Sequence, residues 1–110
     1  MPLGAAPAAV ARFVEAAKKR DFGAIGGCFT EDATVADEAH THRGRAEIRQ
    51  WQEASRQKWE YTLTVKTGTA RGVDGYLIEG HLSGNFPGGE ADVTYGFTLR
   101  DGLISRLVIS

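Results

Sequence analysis

Phe29-Thr30-Glu31-Asp32-Ala33-Thr34-Val35-Ala36-Asp37 is the stretch on which the fold turns. Upstream of it the apolar residues keep helical spacing: Val10, Phe13, Val14 and Ala17, then Phe22, Ile25 and Phe29 after Asp21, a residue type that caps helix N-termini. The spacing predicts two consecutive amphipathic helices, the second closing at Gly26-Gly27, with Phe29 to Asp32 as its exit. Ala33 to Asp37 then reads as a short strand with a carboxylate, Asp37, at its end. Glu38-Ala39-His40-Thr41-His42-Arg43 follows as a polar loop, and Gly44 turns the chain into a third helix that runs to about Gln57. That helix has Ile48 and Trp51 on one face, with Arg45, Arg49, Gln52 and Glu53 elsewhere. So few apolar residues suit a helix that covers an edge or a cavity.

From Trp59 onward the period changes from helical to alternating. Tyr61, Leu63 and Val65 alternate with Thr62, Thr64 and Lys66. Tyr76, Ile78, Gly80 and Leu82 do so with Leu77, Glu79, His81 and Ser83, and Val93, Tyr95, Phe97 and Leu99 with Asp92, Thr94, Gly96 and Thr98. Asp101-Gly102 is a hairpin signal, and Ile104 to Ile109 is the last strand. The order is therefore α-α-β-α-β-β-β-β. It predicts an α+β domain with helices on one face of an antiparallel sheet.

With 110 residues, 42% hydrophobic and 25% charged, the chain suits one compact domain, 1–110, whose first seven residues are frayed. A net charge of -1 gives no field directed at nucleic acid or an anionic membrane. The basic run Lys18-Lys19-Arg20 falls at the end of the first helix, where cations complement the helix dipole. Cys28 is the only cysteine, which excludes an intrachain disulfide and reads as a small buried residue. No secretory leader pattern opens the sequence and no apolar run is long enough to span a bilayer, so a cytoplasmic protein is expected.

The helix pair, the Phe29-Thr30-Glu31-Asp32-Ala33-Thr34-Val35 exit, Gly44 with Ile48 and Trp51 behind it, and the four closing strands resemble the SnoaL-like branch of the nuclear transport factor 2-like superfamily. The turn Gly84-Asn85-Phe86-Pro87-Gly88, then Tyr95-Gly96-Phe97-Thr98-Leu99, is similar to a bacterial subgroup of that branch with no settled function. The resemblance covers roughly residues 8 to 110. It implies a cone-shaped α+β barrel: a strongly curved antiparallel sheet around three N-terminal helices, enclosing a pocket with its mouth near the end of the first strand. It also implies homodimers formed through the sheet, whose outer face here carries Leu77 and Val108.

Within the same superfamily, ketosteroid isomerase has a first strand that resembles Asp32 to Asp37, with its general base at the position of Asp37. A carboxylate at an apolar pocket mouth has its charged form disfavoured by desolvation, and such a base could take a proton beside a carbonyl. The isomerase's first-helix tyrosine corresponds to Phe13, and its acidic oxyanion donor falls near Tyr95 or Gly96, so steroid isomerisation is not expected. Asp37 therefore has two roles open to it: a proton carrier assisted by His42 or Tyr95, or a strand-ending residue that shapes the following loop. Trp51, Phe13, Tyr61 and Phe97 are the aromatic candidates for pocket walls, and Arg43 could orient an anionic group. Trp51, on a sparsely apolar helix, is the best candidate for a wall, with a lid over the core as its alternative, while Phe13, Tyr61, Phe97 and the inward-facing Tyr95 could equally be ordinary packing. Glu38, His40 and His42 would share a side if extended, but no further His or Cys completes a metal shell, so neither metal nor cofactor is expected. The expected occupant is a small, largely apolar molecule with a few oxygens. The function is either cofactor-independent isomerase, cyclase or hydratase chemistry, or noncatalytic binding in the same pocket.

Overall fold

The computed structural model describes residues 6–37, 39–58 and 60–110, apart from the side chain of residue 56. Glu38, a member of the considered metal trio, and Trp59, where the periodicity switches, lie outside the described residues, as do positions 1–5 of the expected frayed start. Two helices open the chain, α1 (Ala8–Lys19) and α2 (Phe22–Gly27). α1 buries Val10, Phe13 and Val14, the stripe its spacing predicts, and ends at Arg20 in the left-handed region (φ 58°) after the basic pair Lys18 and Lys19. Asp21 caps α2, its carboxylate accepting a hydrogen bond from the Ala24 amide at 3.2 Å.

Strand β1 (Phe29–Asp37) begins four residues earlier than the alternation suggests, so Phe29 to Asp32 is strand and not helix exit. Its first half departs from regular pairing: Phe29 lies opposite Ile104 and Thr34 opposite Arg106, a register shift that hides the strand from a period-2 reading. The polar segment expected as loop is partly strand β2 (His40–Arg43), paired antiparallel with β1 from Thr34↔Arg43 to Asp37↔His40. A four-residue edge strand carrying only polar side chains gives no apolar alternation to detect. Gly44 (φ 86°) then leads into α3 (Arg45–Lys58), where Glu47 accepts a bond from the Arg43 amide at 3.0 Å.

Strands β3 (Tyr61–Arg71), β4 (Gly75–Gly84), β5 (Glu90–Arg100) and β6 (Leu103–Ile109) follow as an antiparallel meander. The β5–β6 hairpin turns at Asp101 (φ 55°) and Gly102 (φ 79°), both left-handed as a tight primed turn requires. The six strands form one sheet in the order β2-β1-β6-β5-β4-β3. The sheet is mixed and not antiparallel throughout, because β1 and β6 pair in parallel. The long excursion through β2, α3 and strands β3 to β5 brings the chain back in the same direction, the connection a parallel pair needs. All three helices precede β3, but the β1–β2 hairpin separates the third from the first two.

The inward side chains of the sheet meet α1, α2 and α3 in one hydrophobic core that includes Phe13, Ile25, Phe29, Val35, Ile48, Ile78, Phe97, Ile104 and Leu107. Cys28 is buried as expected, its thiol donating to the Ala24 carbonyl, and burial pushes that thiol up from its ordinary range. Among the described residues no helix is long and apolar enough to cross a membrane.

Candidate functional site

Ile48, Gln52 and Ser55 follow one another at i, i+4 and i+7 along α3, so they share a face. Ile48 seals into the core, while Gln52, though buried, and the half-buried Ser55 bring polar atoms to that face. Where the apolar residues of α3 run out, a cavity of about 690 Å³ opens between helix and sheet. Trp51, Gln52 and Ser55 form its helical side, Tyr61, Leu82, Val93, Tyr95 and Ile109 its sheet side, and Asp37 and Ala39 its edge at the end of β1. That volume is in the range of small-molecule sites, and the lining is largely apolar with a few polar groups.

Asp37 is half-buried, and the Trp51 indole N–H donates to its Oδ2 at 3.0 Å. This bond fixes the carboxylate against the ring that walls the cavity, while Oδ1 takes no hydrogen bond from the described residues. Tyr61 also lines the cavity and lies with its phenol oxygen 3.4 Å from Ser55 Oγ. Tyr95 is 8% exposed, lines the cavity, and stacks on Phe97 at 6.2 Å between ring centroids. Asp37, Trp51, Tyr61 and Tyr95 thus border one cavity.

The other expected site residues are elsewhere. Phe13 and Phe97 do not wall the cavity: Phe13 packs edge-on against both Phe29 (5.6 Å) and Phe97 (5.9 Å) in the filled part of the core. A helix and two strands converge there, and three rings fill the space between them. His42 is outside the lining. Its ring lies against Trp51 at 5.9 Å, so it backs the indole that binds Asp37 and does not face the cavity. Arg43 is exposed and contributes its backbone amide to the start of α3. Among the described residues no group of three His, Cys, Asp or Glu side chains is placed to hold one metal ion.

Several lining residues are not anticipated by the sequence. Phe86 and Pro87 reach the cavity from the β4–β5 turn, which is pinned to Glu60 by two bonds: Glu60 N–H to Asn85 Oδ1 (2.8 Å) and Asn85 N–H to the Glu60 carbonyl (3.0 Å). Gly84 makes that approach possible, since a Cβ there would sit 2.1 Å from the Glu60 carbonyl oxygen. Gln52, set apart from the apolar face of α3 in the sequence reading, is 4% exposed, and its Oε1 is buried without a hydrogen-bond partner among the described residues. Its spacing of four from Ile48 was the available signal.

Asp92 stands at the cavity rim within a charged cluster on the outer side of β4 and β5. His81 Nδ1 and Lys66 Nζ each lie 3.0 Å from Asp92 Oδ1, and His81 Nε2 lies 3.0 Å from Glu90 Oε1. Bonds to Asp92 and then Glu90 hold the His81 imidazole above its ordinary range, and His81 with Lys66 holds Asp92 below the usual carboxylate range.

Residues 10–107 match the family model of the SnoaL-like domain. The structure superposes on protein SMa1630 of Sinorhizobium meliloti, named as a candidate polyketide cyclase, with a TM-score of 0.95, 33% identity and full coverage of both chains. A hypothetical protein of ketosteroid isomerase-like fold from Catenulispora acidiphila, crystallised with trimethylamine, aligns at TM-score 0.83 and 22% identity over 94% of this chain and 85% of that one. The Δ5-3-ketosteroid isomerase of a Mycobacterium species aligns at TM-score 0.78 and 15% identity over 94% and 89%. No protein of curated function matches the sequence. The two more distant likenesses speak to the fold alone, and it is the ketosteroid isomerase-like one. The helix pair, the six-stranded mixed sheet and the match over residues 10–107 place this chain in the SnoaL-like domain family.

Proposed function

We propose that the cavity binds a small, largely apolar, oxygenated molecule and that Asp37 is the general base of a proton-transfer reaction on it, of isomerase, cyclase or hydratase type and without a cofactor. One observation carries this reading: the Asp37 carboxylate stands at the edge of an aromatic-walled cavity, held through one oxygen by the Trp51 indole with the other left available. A carboxylate that only shaped its loop would spend its oxygens on loop amides. In the proposed step Oδ1 of Asp37 takes a proton from the carbon beside a substrate carbonyl. The electron pair of the broken C–H bond moves onto the carbonyl oxygen, and the phenol of Tyr95 donates a hydrogen bond to the enolate. Where the substrate carries a β,γ double bond the enolate is a dienolate, and return of the proton to its γ carbon, as the carbonyl re-forms and the double bond moves into conjugation, completes an isomerisation. His42 supports this arrangement by packing behind Trp51 and does not itself meet the substrate. The 33% identical neighbour named as a candidate cyclase is consistent with enolate chemistry on an oxygenated carbon skeleton.

The test uses 2-tetralone in D2O, with exchange of its α-protons followed by NMR. The intact protein is expected to accelerate exchange. Asp37→Asn, which keeps the shape and removes the base, is expected to lower the catalysed rate by about 10²-fold or more, the usual contribution of a positioned base. A folded Asp37→Asn protein that exchanges as fast as the parent would end the catalytic reading and leave a noncatalytic binding domain.

For assembly, we propose a homodimer through the outer face of the sheet. Leu77, Gly96 and Val108 are successive cross-strand partners there, joined by Ala36, and Val108 is 37% exposed. An apolar strip with a glycine at its centre favours close approach of a second copy. Light scattering is expected to give twice the chain mass, falling to the monomer mass in Val108→Lys.

A further inference from the structure

Nearly every polar atom buried in a folded protein has a partner, and an exception calls for one supplied from outside the chain. Gln52 Oε1 is such an exception: it is buried without a hydrogen bond from the described residues, on a side chain that is 4% exposed and lines the 690 Å³ cavity. It lies deep, because Gln52 also borders a small void of about 20 Å³ shared with Phe13, Tyr61 and Tyr95, at the boundary between the cavity and the filled core. An apolar residue at this position would have continued the Ile48 face without leaving an unpaired oxygen. The terminal amide torsion of glutamine is soft, and no hydrogen bond from the described residues fixes this oxygen, so a turn presents it to a group in the cavity.

Resting on the reading of this cavity as the ligand site, the geometry points to Gln52 as the specificity-determining residue: its Oε1 accepts a hydrogen bond from an O–H or N–H of the ligand. The ligand class narrows accordingly. The Asp37 carboxylate at the edge and the Gln52 Oε1 at the floor are both acceptors, and Trp51, Tyr61, Phe86 and Tyr95 offer flat apolar surface between them. A ring system with a hydroxyl on its buried end fits. The same skeleton with that hydroxyl capped leaves the amide oxygen unpaired and adds bulk beside it, the arrangement by which a polar site rejects an analogue lacking its donor.

The experiment compares 2-naphthol with 2-methoxynaphthalene, which differ only in the donor, by NMR titration of the intact protein and of Gln52→Met, which keeps the volume and removes the amide. The parent protein is expected to bind the naphthol about tenfold more tightly, the value of roughly one hydrogen bond. Gln52→Met is expected to bind both compounds within about twofold, to keep its affinity for the ether, and to melt at or above the parent temperature, since an unpaired buried oxygen is gone. Equal affinity of the two probes for the parent would overturn the inference and leave the pocket reading standing. A preference that survives in Gln52→Met would overturn it too, and would assign the donor to Asp37. A lower melting temperature with an unchanged preference would show that the amide serves the fold, bridged by a water in the small void. If neither probe binds, the pocket reading fails and the inference with it. Should Gln52→Met not fold, Gln52→Leu is judged by the same criteria.

Discussion

The two ends of the interior are built from the same kind of strand and differ in what the helices bring. At one end α1 presses Phe13 between Phe29 and Phe97, and the three rings close the space edge to face. At the other, α3 follows Ile48 with Gln52 and Ser55, and the inward residues of the sheet face a cavity of about 690 Å³. A sheet with apolar inner positions makes a core only where the opposing helix supplies enough volume; where the helix is sparse, the same positions become walls. The filled end provides the stability that lets the other remain open.

That contrast can be broken most directly at its rigid end. Phe13, 1% exposed, should cost about 3–5 kcal/mol of stability when changed to Ala, as buried aromatics do, measured by urea unfolding. A loss below about 1 kcal/mol would mean that the aromatic cluster is not the support described. Trp51→Phe addresses the open end. It removes one part-buried hydrogen bond and should cost only about 1 kcal/mol in the same assay, because that ring borders the cavity on one side and Phe keeps most of its packing on the other. Its larger consequence should fall on proton exchange from 2-tetralone, since Asp37 loses the donor that fixes it. Comparable stability losses for the two substitutions would erase the distinction between the ends.

The smallest effect is expected outside the interior, at His81. Its folded pKa is raised, mainly by the Asp92 bond and then by Glu90, so its contribution is fully present below the unfolded value of about 6.5 and is lost as pH rises through the folded one. His81→Gln should therefore lower the melting temperature more at pH 6 than at pH 9, by a few degrees at most given the exposure of the cluster. A deficit that grows toward pH 9 would contradict the assigned partners.

Local periodicity was enough to define the amphipathic stripe of α1, the Asp21 cap, the Asp101-Gly102 hairpin and the long alternating strands, because each of these depends on neighbours within a few residues. It also put Asp37 near Trp51, since a strand end and the next helix are separated by one short connection. What failed was the short polar element and whatever depended on distant partners. β2 is too short and too polar to show a period, and the first half of β1 is irregular because its partner is β6, the last strand of the chain. The parallel β1–β6 pair, and with it the mixed sheet, is a fact about where the chain returns, which no local pattern encodes.

The site divides along the same line. Residue types and spacing singled out one carboxylate and several aromatics, with Trp51 foremost as a wall and Phe13, Tyr61 and Phe97 not told apart. Only the tertiary structure sorted them, sending Phe13 and Phe97 to the packed end and Trp51, Tyr61 and Tyr95 to the cavity, with His42 behind the indole and Arg43 outside. It alone revealed Gln52, because whether a buried amide has a partner depends on every chain segment around it. The sequence by itself determined which faces are apolar, a property of spacing along one element. How much space lies between those faces was decided by tertiary structure, because volume is a property of the elements together.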